Sequence, residues 1–394
     1  MIGITTTLNL AVGVWRAFLV TPGGELPFVM EISKNDSAYV FHIANGPEKM
    51  LLDEVRMDGD SVFVRFPIYE SELRLRVVNP NELEGNYINL TRTTNAAIPM
   101  RAYYNAGPRF YIRSKEPSKS VDGKWSVMFG GGTKDSSFAV GLFKQEGGIV
   151  NGTFLTASGD YRYLEGVVDG DSLFLSAFDG VFVYLIKAKV RSNTMEGIFY
   201  SGLHRQISFT GFRDEQAALP DPTKVTKYKN SDQPFVLRFP DTDSIMVDLK
   251  DERFKGKPVI IQILGSWCPN CLDESEFLQS YYARNRERGV EIIGLSFEKT
   301  DDFTRAASNV NRLKSRLGIT YPLLVCANRD KLQSVLPGLD NFRAFPTSIY
   351  LDKNHRVRKI YSGFSGKATG AEFERFKDDF TLFMDKLLSE PQAP

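Results

Sequence analysis

A repeat constrains this chain more than any other feature of it. Gly13-Val14-Trp15 returns as Gly123-Lys124-Trp125, Asp58-Gly59-Asp60-Ser61 as Asp169-Gly170-Asp171-Ser172, and the "LEGNY" starting at Leu83 as the "MEGIFY" starting at Met195. The pairs are 110, 111 and 112 residues apart. A separation that stays this constant means two copies of one structural unit laid end to end. Within each copy, short segments such as "SVFVRFPIYE", "ELRLRVV", "SLFLSAF" and "VFVYLIKAKV" alternate apolar with polar residues between Gly, Asn and Asp clusters. That is the period of strands joined by tight turns. Residues 1–213 are therefore expected to form an all-β meander domain, barrel or sandwich, with copies at about 10–110 and 120–213.

Each DGDS is expected to turn a hairpin, since Gly and Asp tolerate the positive φ that short loops require. It lacks the further oxygen ligands, at loop spacing, of a calcium site. A Gly-x-Trp near the start of a meander resembles the first strand of lipocalin-like barrels, which would imply a ligand cavity. Three residues do not establish that, and Trp15 and Trp125 are read as core plugs. His42 and His204 lie in strand patterns without a cysteine or second histidine nearby, so neither is assigned a metal.

The chain has 394 residues, 49 basic and 48 acidic, and a net charge of +1, with no long single-sign block. Nucleic-acid and membrane-surface binding get no electrostatic support from that balance. No apolar run approaches the ~20 residues of a membrane span. The start, "MIGITTTLNLAVGVW", lacks the basic region and cleavage site of a secretion signal, leaving a trimmed native leader or tether open. Residues 214–232 are polar and proline-rich and read as a linker.

From residue 233 to 394 the grammar changes. "KPVIIQILG" reads as a buried strand, "CLDESEFLQSYYARNRERG" as a helix, "VEIIGLSF" as a second buried strand and "DDFTRAASNVNRLKSRLG" as a second helix. Such alternation implies a parallel βαβ core in an α/β domain. "FPTSIYLDKNHRVRKIYSG" reads as a hairpin turning at Lys353-Asn354-His355, with His355 solvated. A closing helix is expected to set Phe373, Phe376, Phe380, Phe383 and Leu387 on one apolar face.

Cys268 and Cys271 sit where the first of these strands meets its helix. Free N–H groups and the positive end of the helix dipole stabilise a thiolate there, which makes Cys268 the expected nucleophile. Pro269 follows at the first helical position, where its missing N–H costs nothing. Cys271, nearly one turn on, is the expected resolving thiol. Glu274 lies three residues further on the same face, either as a partly buried acid or base or as an exposed surface residue. Asp273 is read as solvated. Zinc would want four ligands, and only Cys326 and three scattered histidines remain. A structural disulfide would close too small a loop to remove much chain entropy. Cys326 reads as a buried small hydrophobe.

On "FKGKPVIIQILGSWCPNC", the glutamate three residues past the second cysteine and "FPTSIYLDKNHRV", the segment from about Gln233 onward resembles the thioredoxin superfamily. It is most similar to the TlpA/ResA-type thiol:disulfide oxidoreductases, which are periplasmic or tethered outside the cytoplasmic membrane. The resemblance implies a thioredoxin-like fold and no cofactor. It makes Cys268 the nucleophile, Cys271 the resolving cysteine, Glu274 the active-site acid and Pro346 a cis-proline facing the disulfide. It also puts Trp267, Phe345 and Thr347 against the substrate. The partners implied are a disulfide-containing protein substrate and an upstream thiol reductant. One departure stands out: the dipeptide here is Pro269-Asn270, whereas the family has proline immediately before the second cysteine. The resemblance therefore carries over no reduction potential. Two further functions compete, a peroxiredoxin-like peroxidase using Cys268 and a binding module whose β domain does the work. The two-residue gap between the cysteines disfavours the first, and the intact CxxC with Glu274 the second.

Overall fold

A computed structural model describes residues 9–36, 38–94, 96–114 and 119–391. The leader reading rests in part on residues 1–8, outside that set. The chain divides into two compact units, one of Met1–Phe154 with Tyr163–Ala218 and one of Leu155–Arg162 with Leu219–Pro394.

In the first unit each copy of the repeat builds its own meander sheet. In the second copy Ser137–Glu146 pairs with Ile149–Thr156, and Ile149–Thr156 with Leu164–Asp169, which closes the strand order into a barrel. The repeated letters have repeated jobs. Trp15 and Trp125 are fully buried, and their indole N–H groups donate to Ala11 O (3.0 Å) and Val121 O (2.8 Å), four residues upstream in both cases. Asp58 pairs with Ser61 and Asp169 with Ser172, leaving two-residue loops whose first position is glycine at φ +61° and +64°. The shared glycine of "LEGNY" and "MEGIFY" answers a close approach: a Cβ at Gly85 would sit 2.1 Å from Arg74 O, and one at Gly197 2.4 Å from Lys187 O. The interior of the second copy is filled by Phe129, Phe154, Phe199 and Phe209, with Phe129 edge-on to Phe154 at 5.2 Å.

The second unit is α/β. Its five-stranded sheet runs Leu323–Asn328, Glu291–Glu298, Val259–Leu264, Thr347–Leu351, Val357–Ser362, the first three parallel and the last two antiparallel. Val259–Leu264 and Glu291–Glu298 are buried along their whole length, as the central strands of a covered parallel sheet are. The core gathers Ile261, Ile263, Leu295, Phe297 and Ile349 with Phe235 and Leu249. The closing helix, Ala371–Ser389, buries Phe373, Phe376, Phe380, Met384 and Leu387. Met384 thus takes the place expected of Phe383, because spacings of three and four both lie near one helical turn. Phe383 lies half-buried, edge-on to Tyr350 at 5.4 Å. His355 is not solvated either. At φ +58° in the hairpin turn, its half-buried ring brings Nε2 to 3.0 Å from Phe254 O.

Candidate redox site

The Val259–Leu264 strand ends at Leu264, and the helix Pro269–Asn285 begins five residues later. Cys268 is the cap residue of that helix, with extended backbone at φ −109° and ψ 113°. Its Sγ accepts the Cys271 N–H at 3.3 Å, so a backbone donor that the helix leaves unsatisfied points at the sulfur. The same Sγ lies 3.6 Å from Phe345 O, and the Phe345–Pro346 peptide is cis. Cys268 retains 6% exposure and Cys271 none. Burial, then the hydrogen bond and charge of the Cys268 sulfur, push the Cys271 thiol well above its usual range. Cys271 is held as a protonated thiol behind a near-surface partner.

Glu274 is buried at 2% exposure, not on the helix surface. Two side chains reach it from the sheet: Gln262 Nε2 donates to Oε2 and Ser348 Oγ to Oε1, both at 2.9 Å. Burial drives its carboxyl up to about 7 and outweighs the two hydrogen bonds, which act in the opposite direction. Gln262 also approaches Cys271 O at 3.5 Å and accepts from Ser275 Oγ at 3.1 Å, so one amide links the carboxyl to the resolving segment.

Trp267 flanks the cysteines, its indole N–H donating to Phe297 O at 2.9 Å and its ring edge-on to Phe345 at 5.2 Å. Lys299 and Arg329 stand over the same ring at 4.9 and 5.0 Å. Pro346 is buried, and Thr347 is turned inward, its hydroxyl donating to Ala344 O at 2.8 Å. The structure thus gathers Trp267, Cys268, Phe345 and Pro346 at the outer sulfur and Cys271 with Glu274 behind it.

Three residues escaped the sequence reading. Glu298, at the end of the second strand and 1% exposed, accepts from Ser266 N (2.9 Å), Ser266 Oγ (2.7 Å) and Ser296 Oγ (2.7 Å), which anchors the loop entering the CxxC helix. Asp160 and Arg162 lie in the Leu155–Arg162 hairpin, which closes on Ala157-Ser158 between the pairs Leu155–Asp160 and Thr156–Gly159. Asn270 Nδ2 donates to Asp160 O at 3.0 Å. The Asp160 carboxylate accepts Arg162 N and Gly366 N, both at 2.6 Å. Arg162 Nη2 lies 3.3 Å from Asp273 Oδ1. Asp273 is therefore not a solvated helix-surface charge; its side chain is 17% exposed and paired. Asn270, standing where the family pattern has proline, was the one sign in the sequence that something else in the chain meets the motif.

A family model described as Redoxin matches residues 217–375. The thiol-disulfide oxidoreductase ResA of Bacillus thuringiensis (strain Al Hakam) is 31% identical over 147 residues, covering 37% of this chain and 76% of its own length. ResA of Geobacillus kaustophilus (strain HTA426) is 27% identical over 126 residues, 31% of this chain and 66% of its own. Among solved structures, a DsbF homologue from Corynebacterium diphtheriae aligns with a TM-score of 0.33 at 22% identity, over 44% of this chain and 98% of that one.

Proposed function

Because this chain belongs to the ResA-type thiol-disulfide oxidoreductases, with a C-terminal domain of the thioredoxin superfamily, we propose that it reduces protein disulfides through Cys268 and Cys271 by way of a mixed disulfide. The Cys268 thiolate attacks one sulfur of the substrate disulfide; the substrate S–S bond breaks, a Cys268–substrate S–S bond forms, and the first substrate thiolate leaves and takes up a proton. Cys271 then loses its proton to Glu274 and attacks Cys268 Sγ. The second substrate thiol is released and the Cys268–Cys271 disulfide remains. Two electrons have passed to the substrate, and a thiol reductant of the same two-electron class restores the pair.

The observation that carries this reading is the asymmetry of the two sulfurs. Cys268 caps the helix beside Phe345 O, while Cys271 is sealed behind it with a carboxyl poised near 7 on its own helix. A proton acceptor near neutral pH suits a thiol that must ionise only when its turn comes. Trp267 and Phe345 offer the apolar contact for substrate beside the cis-Pro346 loop. All three cysteines lie in the second unit, so the β unit brings no thiol, and we assign it partner selection. The same reading puts the protein outside the cytoplasmic membrane. Among the described residues no helix is long and apolar enough to cross one.

The test is trapping. The full chain carrying Cys271→Ser should accumulate a mixed disulfide between Cys268 and an added disulfide protein such as insulin, and Cys268→Ser should accumulate none. Equal trapping by the two variants, or a wild-type pair that forms no disulfide in glutathione buffers, would sink the assignment.

A further inference from the structure

The Leu155–Arg162 hairpin belongs by sequence to the second β copy and by packing to the compact unit that holds the cysteines. Its contacts fall on the CxxC segment. Asp160 O takes the amide of Asn270, the residue between the cysteines that departs from the family pattern. A Cβ on Gly159 would lie 2.7 Å from Asn270 Cγ, and one on Gly363, just after the last strand, 2.9 Å from Ala157 O. Arg162, its own side chain 8% exposed, brings a guanidinium to Asp273 in the redox helix.

Resting on the redox reading above, we propose that this hairpin is a positioning element of the redox centre, in which Arg162 offsets the charge of Asp273 and so favours the dithiol over the disulfide form. The disulfide is neutral, whereas on the redox reading above the dithiol form reacts as a Cys268 thiolate, whose sulfur is the acceptor of the Cys271 N–H. Asp273 is five residues beyond Cys268, a rise of about 7–8 Å along a helix axis, so the carboxylate and the sulfur stand at least that far apart. A carboxylate at that range opposes charge on the sulfur, and the Arg162 guanidinium, which faces both that carboxylate and the Asp160 carboxylate, offsets part of the opposition. In a partly solvated site, one uncompensated charge at this distance is worth roughly three- to tenfold in an equilibrium constant. The hydrogen bond from Asn270 to Asp160 O and those from Gly366 N and Arg162 N to the Asp160 carboxylate fix the hairpin that carries Arg162.

The equilibrium to measure is protein disulfide plus two glutathione thiols against protein dithiol plus glutathione disulfide. One S–S bond breaks in the protein and one forms between glutathiones, with two electrons and the accompanying protons passing to the protein. In the full chain, Arg162→Gln should move this equilibrium about three- to tenfold toward the protein disulfide, tenfold being about 30 mV. Asp273→Asn should move it the other way, and the double variant should return within about twofold of wild type, a cycle that a loss of packing cannot imitate. If Arg162→Gln does not fold, Asp273→Asn alone decides: its helix site is partly exposed, and a shift toward the dithiol is required. Shifts of one sign in both single variants, or changes under twofold, overturn the proposal while leaving the redox reading intact. A wild-type chain that never forms the Cys268–Cys271 disulfide overturns both.

Discussion

Replacing Glu274 with glutamine should stabilise this protein at neutral and higher pH while slowing its chemistry, and the size of the stability effect follows from the site. Burial raises the carboxyl from 4.5 to about 7 in the fold. Each unit of difference between folded and unfolded states is 1.36 kcal/mol, so the interval corresponds to about 3 kcal/mol. The sign is that of a group whose folded value is raised. Below about pH 4.5 it is protonated in both states and has no cost; between 4.5 and 7 the unfolded chain ionises first and stability falls; above 7 the deficit is constant. Glutamine removes this dependence and can keep both partners, since Gln262 still donates to the remaining oxygen and the Ser348 hydroxyl can turn to accept. The variant should match wild type within about 1 kcal/mol at pH 4.5 and exceed it by about 2–3 kcal/mol at pH 8. Two compact units make a whole-chain transition a poor probe. Pulse alkylation of fully buried Cys271 across a urea series, quenched at one fixed pH and read by mass spectrometry, reports opening of the redox unit alone. Tyr321, Tyr350 and Cys271 also face this carboxyl, but burial drives all three upward, so their titration lies above this window. A stability difference that stays flat from pH 4.5 to 8 would refute the burial argument. The same variant should reduce insulin on the order of a hundredfold more slowly where proton transfer limits the rate.

Two more outcomes test the scaffold. Ser266→Ala removes a hydroxyl donor to the buried Glu298 carboxyl and should cost about 1–3 kcal/mol in the same Cys271 labelling assay; a change under about 0.5 would show that the loop does not depend on it. Gly197→Ala would set a Cβ 2.4 Å from Lys187 O and 2.8 Å from Phe209 Cζ, an overpacking worth about 1–3 kcal/mol, so the β unit should melt lower by several degrees; an unchanged transition would mean that the strands separate freely there.

What the sequence disclosed was whatever its local rules decide. The DGDS turns and the buried tryptophans each settle within a few residues, the loops through glycine φ and the indoles through a carbonyl four residues upstream, so both copies carry the same letters. The spacing of Cys268 and Cys271 made the first a helix cap and the second its N–H donor, which needs no tertiary information. Where the helical spacing pointed to Phe383, the unbranched thioether of Met384, one residue on, took the buried place and the ring stayed at the margin against Tyr350.

The burial of Glu274 and the pairing of Asp273 are a different kind of fact. Glu274 and Asp273 are adjacent on one helix, and periodicity allowed both to face water. Glu274 is buried because the strand beneath it offers Gln262 and the next strand offers Ser348, two polar residues inside apolar runs. A glutamine within "VIIQIL", buried on every side, has to find polar partners, and the Glu274 carboxyl is one of them. Asn270 and Asp273 depend instead on residues 110 and 111 positions away, in a hairpin whose "SGDYR" looks like any other turn of the meander. Arg162 occupies φ +53°, a left-handed position that nothing in an arginine announces. Such a residue stays in that conformation only if its surroundings hold it there, and here they are its ion pair with the redox helix and the Asp160 carboxylate on its own N–H. The strain and the contact are therefore one arrangement. On our proposal it places the second β copy's hairpin among the determinants of the redox couple.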